Sequence, residues 1–175
     1  MAKHAGAGWR VGIGHDTHRI VAGRPLILGG VTIDYSMGLL GHSDADVVMH
    51  SVADALLGAV ALGDIGEHFS DTDPQWAGIA GSLLLEQVRC LVAKSGWVAS
   101  NVDLTIHAQA PKLSPYKEEM ESRIAAILGL TNGDVNVKAK TGEHVGPVGR
   151  GEIIGCDAIV MVRRVAAGEI EYQGE

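Results

Sequence analysis

The chain has 175 residues, 46% of them hydrophobic, and 14 Lys and Arg against 21 Asp and Glu give a formal net charge of -7. That length supports one complete hydrophobic core rather than two domains, and the scattered acidic balance supplies no basic stripe of the kind nucleic acid requires. There is no apolar run long enough to span a bilayer and no signal-peptide core in residues 1–9, so a cytoplasmic protein without a membrane partner is expected.

Residues 1–9 read as a flexible tail, 10–165 as a single domain and 166–175 as a second tail. Cys90 and Cys156 lack metal-ligand spacing and read as free thiols. From Trp9 to His18 the residues alternate as a strand. Val11, Ile13, His15 and Thr17 point one way, and Arg10, Gly12, Gly14, Asp16 and His18 the other. Asp16 and His18 therefore share a face about 6.5 Å apart at Cα, close enough to converge on one ion. The plain alternative is a polar strand end. Pro25 to Ile33 predicts a hairpin turning at Gly29-Gly30, expected to pair beside the first strand.

The stretch from His42 to His50 reads as a helix entrance with more histidines and carboxylates than capping needs. Ser43 and Asp46 fit a capping box, and Asp44 and Asp46 suit the positive end of the helix dipole. Val47 to Leu62 then predicts a buried helix of at least four turns. His50 shares a face with Asp46 and Asp54, so either carboxylate could hold one ring nitrogen while the other nitrogen binds a ligand. A satisfied core histidine is the competing reading.

Gly63 to Pro74 is too rich in Gly and Asp for regular structure and is a functional-loop candidate, its acids suited to hydroxyls or a cation or simply to solvent. Ser82 is expected to cap a helix through Lys94, with Leu83, Leu84, Val88, Leu91 and Val92 on its apolar side. Val102 to Ala108 predicts a strand leading into Gln109 to Pro115, where Ser114 caps and Pro115 opens a third helix ending at Gly129. Val135 to Ala139 and Ile153 to Val165 predict the last two strands. Between them, Lys140 to Gly151 carries four glycines and several phosphate-compatible donors, and is either a phosphate cradle or a flexible connection.

Asp16, His18 and His50 form a two-histidine, one-carboxylate set suited to a divalent ion with a ligand position left open. Zinc fits best, and iron or manganese suits the same trio. No nucleophilic serine or cysteine arrangement is evident; if the chemistry is phosphoryl transfer in which the substrate supplies its own anionic nucleophile, the protein needs only to position the groups and spread the developing charge, a requirement these residues match.

Asp16-Thr17-His18, Leu39 to Asp46 with His50, Asp64-Ile65-Gly66, Phe69-Ser70-Asp71-Thr72-Asp73, Ala108-Gln109-Ala110-Pro111-Lys112 and Gly149-Arg150-Gly151-Glu152 occur in one register. In this the chain resembles the 2-C-methyl-D-erythritol 2,4-cyclodiphosphate synthase family, from about Arg10 to Val165. The resemblance implies an α/β sandwich: a mixed β-sheet with helices packed on one face, three sheets enclosing the centre of a homotrimer, and active sites between neighbouring subunits. It implies conversion of 4-diphosphocytidyl-2-C-methyl-D-erythritol 2-phosphate to the cyclic diphosphate with release of CMP.

By the same resemblance Asp16, His18 and His50 hold Zn2+, Glu143 holds Mg2+ or Mn2+ between the substrate phosphates, and His42 and Thr141 stabilise the transition state. His42 and Ser43 also contact substrate. Asp64, Ile65, Gly66, Phe69, Asp71 and Asp73 match the erythritol site, and Ala108, Pro111, Lys112, Leu113 and Ser114 match the cytidine pocket. In some relatives an isoprenoid diphosphate occupies the central cavity, with the arginine matching Arg150 on its phosphates. Pro147 stands where many members have Phe, and Gly142 where many have Thr. Two rival readings use the same residues: a zinc phosphohydrolase with a water nucleophile, and a non-catalytic module that senses isoprenoid diphosphates.

Overall fold

The computed structural model describes residues 8–70, 73–76 and 78–165; residues 1–7, Asp71, Thr72, Ala77 and residues 166–175 lie outside them. The first strand, β1 (Trp9–Ala22), starts one residue ahead of the expected domain and alternates as its sequence dictates, with Gly12 and Gly14 buried and Val11, Ile13 and His15 exposed. The buried glycines let a helix lie directly on the strand. A Cβ on Gly12 or Gly14 would come within 1.9 Å of the Ala55 carbonyl oxygen or 2.0 Å of that of Ser51, both on α1 (Val47–Ala59).

Five strands form one sheet in the order β4 (Met37–Leu39), β1, β7 (Ile153–Arg164), β5 (Trp97–His107), β6 (Val135–Lys140). β7 is antiparallel to both β1 and β5, so those two run the same way, and β6 is parallel to β5. The register fixes the functional edge: Thr17 pairs with Gly155, Gly155 with His107, and His107 with Lys140. The loops after β5 and β6 therefore leave the sheet level with the Asp16–His18 segment.

The predicted hairpin exists as β2 (Leu26–Leu28) and β3 (Val31–Ile33), but it forms its own ribbon instead of pairing beside β1. β4 takes that place. The cause is Asp46, whose carboxylate accepts from Gly29 N at 2.9 Å and Gly30 N at 2.6 Å and ties the hairpin turn to the start of α1. Asp46 is also the N-cap of α1, accepting from Val48 N and Met49 N at 3.0 and 3.2 Å. The expected capping box is thus corrected: the Ser43 hydroxyl accepts from Ala45 N, outside the helix.

The next long helix, α3 (Gly81–Lys94), begins after Ala80 rather than at Ser82, and its cap comes from far away, Gly81 N donating to Asp44 Oδ2 at 2.9 Å. Its core side uses Leu85, while Leu83 stays 52% exposed against expectation. A 3-10 turn, Ser114–Tyr116, precedes α4 (Lys117–Leu128), and Gly129 ends that helix in the left-handed region at φ 70°. Two stretches expected to be irregular contain one helical turn each, α2 (Ile65–His68) and α5 (Gly146–Gly149).

Helices α1, α3 and α4 cover the sheet face that bears Leu104, Ile106, Val137, Ala158 and Val160, all buried. The opposite face keeps Val11, Ile13 and Ile159 at 65, 71 and 47% exposure. Both cysteines are free, and burial pushes the Cys156 thiol up to about 12, far from thiolate chemistry. No helix among the described residues is long and apolar enough to cross a membrane.

Candidate active site

Asp16 and His18 leave β1 on the helix-covered face, and His50 points toward them from the first turn of α1. The Nδ1 of His50 donates to Asp16 Oδ2 at 3.0 Å, and His18 Nε2 lies 3.1 Å from the same oxygen. One ligand atom from each residue falls within 4.8 Å of the others, the only such donor group among the described residues. Two imidazole nitrogens and a carboxylate oxygen match the donor chemistry of zinc or another first-row divalent ion.

The electrostatics agree with that use. Burial acts to raise the Asp16 carboxyl, but hydrogen bonds from His18 and His50 and their charge outweigh it and hold the group well below the usual carboxylate range. For His50 burial acts to lower the value, yet the hydrogen bond and charge of Asp16 leave it raised. The carboxylates that helix spacing offered to His50 are engaged elsewhere: Asp46 as described, and Asp54 as acceptor for Ile65 N at 2.8 Å.

The three residues open onto a cleft of about 440 Å³ lined also by His42, Ser43, Ile65, Gly66, Phe69, Trp76, Ile79 and Leu84. One wall is thus polar and the other apolar, with Phe69 and Trp76 packed edge to face at 5.0 Å between ring centroids. Ser43 Oγ lies 3.4 Å from His50 Nε2. His42 is exposed and its ring makes no hydrogen bond among the described residues. The left-handed φ of 59° at Ala45, a buried non-glycine residue, marks this entrance segment as locally strained.

The other sequence candidates lie away from this lining. Asp64 caps α2 through Glu67 N at 3.0 Å, and Asp73 accepts from Gln75 N at 3.0 Å. Ala108, Pro111, Lys112, Leu113 and Ser114 follow β5, where the Ala110–Pro111 peptide is cis and Leu113 is buried. Thr141 and Glu143 follow β6, and Thr141 Oγ1 donates to Glu143 Oε1 at 2.5 Å. Glu143 and His144 are both left-handed, at φ 48° and 60°, and His144 N reaches Gln109 Oε1 at 3.3 Å, joining the two loops. The Arg150 fork is occupied by Glu152, at 2.7 and 3.0 Å. Within one chain β5 and β6 are two and three strand spacings from β1, about 10 and 14 Å, and none of these loop residues lines the cleft beside Asp16, His18 and His50.

Sequence reasoning missed Trp76, Ile79 and Leu84. Leu84 was legible only as a core residue, because helix periodicity cannot say that the first turn of α3 also borders a cleft. A second histidine–carboxylate group lies on the uncovered face. Asp157 accepts from His15 Nδ1 at 2.7 Å on one oxygen and from His107 Nε2 at 2.8 Å on the other. Because the nitrogens sit on different oxygens, they do not converge as those around Asp16 do.

Residues 9–163 match the YgbB family. A 2-C-methyl-D-erythritol 2,4-cyclodiphosphate synthase of Burkholderia thailandensis is 57% identical over 159 residues, 91% of this chain and 98% of that protein. One from Burkholderia pseudomallei is 56% identical over the same shares. Among solved structures, the IspF–CDP complex of Plasmodium falciparum superposes with a TM-score of 0.79 at 32% identity, over 91% of this chain and 98% of that one. The bifunctional IspDF of Campylobacter jejuni gives 0.86 at 42% identity, covering 89% of this chain and 42% of the larger protein. With Asp16, His18 and His50 gathered as a candidate metal-ligand trio and its similarity running from first strand to last, the chain belongs to the YgbB family, that of the 2-C-methyl-D-erythritol 2,4-cyclodiphosphate synthases.

Proposed function

We propose that this chain converts 4-diphosphocytidyl-2-C-methyl-D-erythritol 2-phosphate to 2-C-methyl-D-erythritol 2,4-cyclodiphosphate and CMP, as a cytoplasmic homotrimer of non-mevalonate isoprenoid synthesis. The observation that carries the reading is the convergence of Asp16, His18 and His50 on one edge of a half-apolar cleft. An oxygen of the 2-phosphate attacks the β-phosphorus, and the bond from that phosphorus to the oxygen bridging to the α-phosphate breaks, so CMP leaves with the bridging oxygen. The attacking oxygen is already ionised at neutral pH, so the protein's task is to fold the substrate back on itself and spread the developing charge.

Asp16, His18 and His50 would hold Zn2+, which supplies Lewis-acid polarisation of the diphosphate. Glu143 would hold Mg2+ or Mn2+. A single protein carboxylate suits an ion whose other ligands are substrate phosphates and water. The Thr141 hydroxyl, which donates to Glu143 in this structure, would donate to a phosphate oxygen. His42 donates from the cleft rim, with Ser43 beside it, and the wall of Ile65, Phe69 and Trp76 excludes water that would compete as nucleophile. Asp64, Asp71 and Asp73 accept from the erythritol hydroxyls, while the backbone from Ala108 to Ser114 reads cytosine and Lys112 meets a phosphate. Sharing of each site between neighbouring chains is supported by the separation of the β1 and β6 loops and by the uncovered apolar sheet face.

The test is product identity from the cytidylylated substrate. Wild-type protein is expected to yield CMP and the cyclic diphosphate in equal amounts, and His50→Ala to lose both zinc and turnover. Release of inorganic phosphate instead would assign the site to a phosphohydrolase.

A further inference from the structure

We propose that Arg24 is a positioning residue for His42, acting through the backbone of the segment that carries it; this rests on the reading that His42 serves the transferring phosphates. Residues 41–46 connect β4 to α1 without regular structure, so no strand or helix ladder fixes them. Arg24, in the turn between β1 and β2, adds a constraint on the first half of this segment, while Asp44 holds the second half through the Ile79 carbonyl and Gly81 N. Its Nη1 donates to the Gly41 carbonyl at 3.0 Å and its Nη2 to the Ser43 carbonyl at 2.7 Å. The carbonyl between them, that of His42, accepts from Gly78 N at 3.0 Å. Three consecutive carbonyls are thereby held, two of them by one planar group.

The geometry of that group matters. Both terminal nitrogens of a guanidinium lie in one rigid plane, so the Gly41 and Ser43 carbonyls must turn toward a common point and the chain must kink at His42. The segment also lies against the metal cluster, since a Cβ on Gly41 would come within 3.2 Å of His18 Cε1. The His42 side chain has no hydrogen bond of its own, so its aim into the cleft follows from its backbone. Arg24 does not line the cleft. Among the described residues no ion pair with a carboxylate is formed by it, and its donors go to two main-chain oxygens instead. A lysine offers one compact ammonium in place of two donors fixed in a plane, and so does not reproduce the geometry that sets the two carbonyls.

The test uses full-length, zinc-loaded protein with Arg24→Lys, Arg24→Ala, His42→Ala and the double variant. The expected result for Arg24→Lys and Arg24→Ala is a kcat lower by roughly ten- to a hundredfold, with KM within about twofold and zinc per chain unchanged. Ethylguanidinium at millimolar concentration should restore turnover to Arg24→Ala, and ethylammonium should not. Because Arg24 acts through His42, adding Arg24→Ala to His42→Ala should cost little more than His42→Ala alone. Wild-type kcat in folded, zinc-loaded Arg24→Lys would overturn the assignment, as would losses that simply multiply in the double variant. Wild-type kcat in His42→Ala would instead remove the role read for His42, an outcome separable from the effect of Arg24.

Discussion

Asp16 gives one oxygen to two imidazole nitrogens, the same atoms that would meet a metal. Burial acts to lower the His50 value, but the hydrogen bond and charge of Asp16 leave it raised, so its protonated form competes with a cation for the ligand set. Apparent zinc affinity should therefore fall as pH drops, beginning above the ordinary histidine value of about 6.5 and steepening below it. Asp16 stays ionised throughout that window because its own value is depressed. Stability of metal-free protein has the opposite sign. The Asp16–His50 pair contributes fully below about pH 6.5 and its contribution is lost as pH rises through the raised His50 value. Competition titrations with a zinc chelator between pH 6 and 8 check the first point, and an affinity flat across that range would contradict it. The strand alternation made Asp16 and His18 legible as a pair from sequence alone. The partner of His50 was not legible, because helix spacing offers only neighbours one turn away and the carboxylate used lies 34 residues upstream.

Helix α1 lies on β1 more closely than side chains would permit, and Gly12 and Gly14 are the reason. Replacing Gly14 by Ala puts a methyl carbon 2.0 Å from the Ser51 carbonyl oxygen, where only backbone displacement can relieve the clash. The expected loss is at least about 3 kcal/mol, at the upper end for overpacked interiors, with His50 shifted away from Asp16. Gly133→Ala, whose new carbon would meet nothing nearer than 3.8 Å, should leave the melting temperature close to wild type. Thermal unfolding of the two variants decides the point; equal midpoints would mean that the helix can slide away at little cost. Strand and helix periodicity made β1, α1, β5, β6 and β7 readable in order. Two long-range links were missed, because neither leaves a local spacing signal: Asp44 closes α3 from far upstream, and Asp46, besides capping α1 locally, pins the β2–β3 turn. β4 escaped notice because Met37, Gly38 and Leu39 are too few to show alternation.

One chain carries the parts of the proposed site on separate strands, with the proposed metal trio on β1 and α1 and the proposed nucleotide and Glu143 loops beyond β5 and β6, about 10 and 14 Å away across the sheet. A trimer that places one chain's β5 and β6 loops beside its neighbour's metal cluster completes the arrangement. Mixed trimers of His50→Ala and Lys112→Ala should accordingly regain turnover that neither parent shows, since some interfaces pair two intact halves. No regain in mixed trimers verified by native mass spectrometry would confine each site to a single chain. The proposal at this level rests on the resemblance and on the exposed alternate residues of β1, while the rung of His15, Asp157 and His107 across the same face was not legible, because it joins three strands distant in sequence. The direction of the strands has one more consequence. Trp9 pairs with Arg163 and Trp97 with Arg164, so the first strand begins and the last strand ends together at the margin of the sheet remote from Asp16 and His18 and from the loops after β5 and β6. A second domain fused at that margin would join the sheet at the end away from the candidate site, and in the Campylobacter jejuni relative the matching portion is part of a longer bifunctional chain.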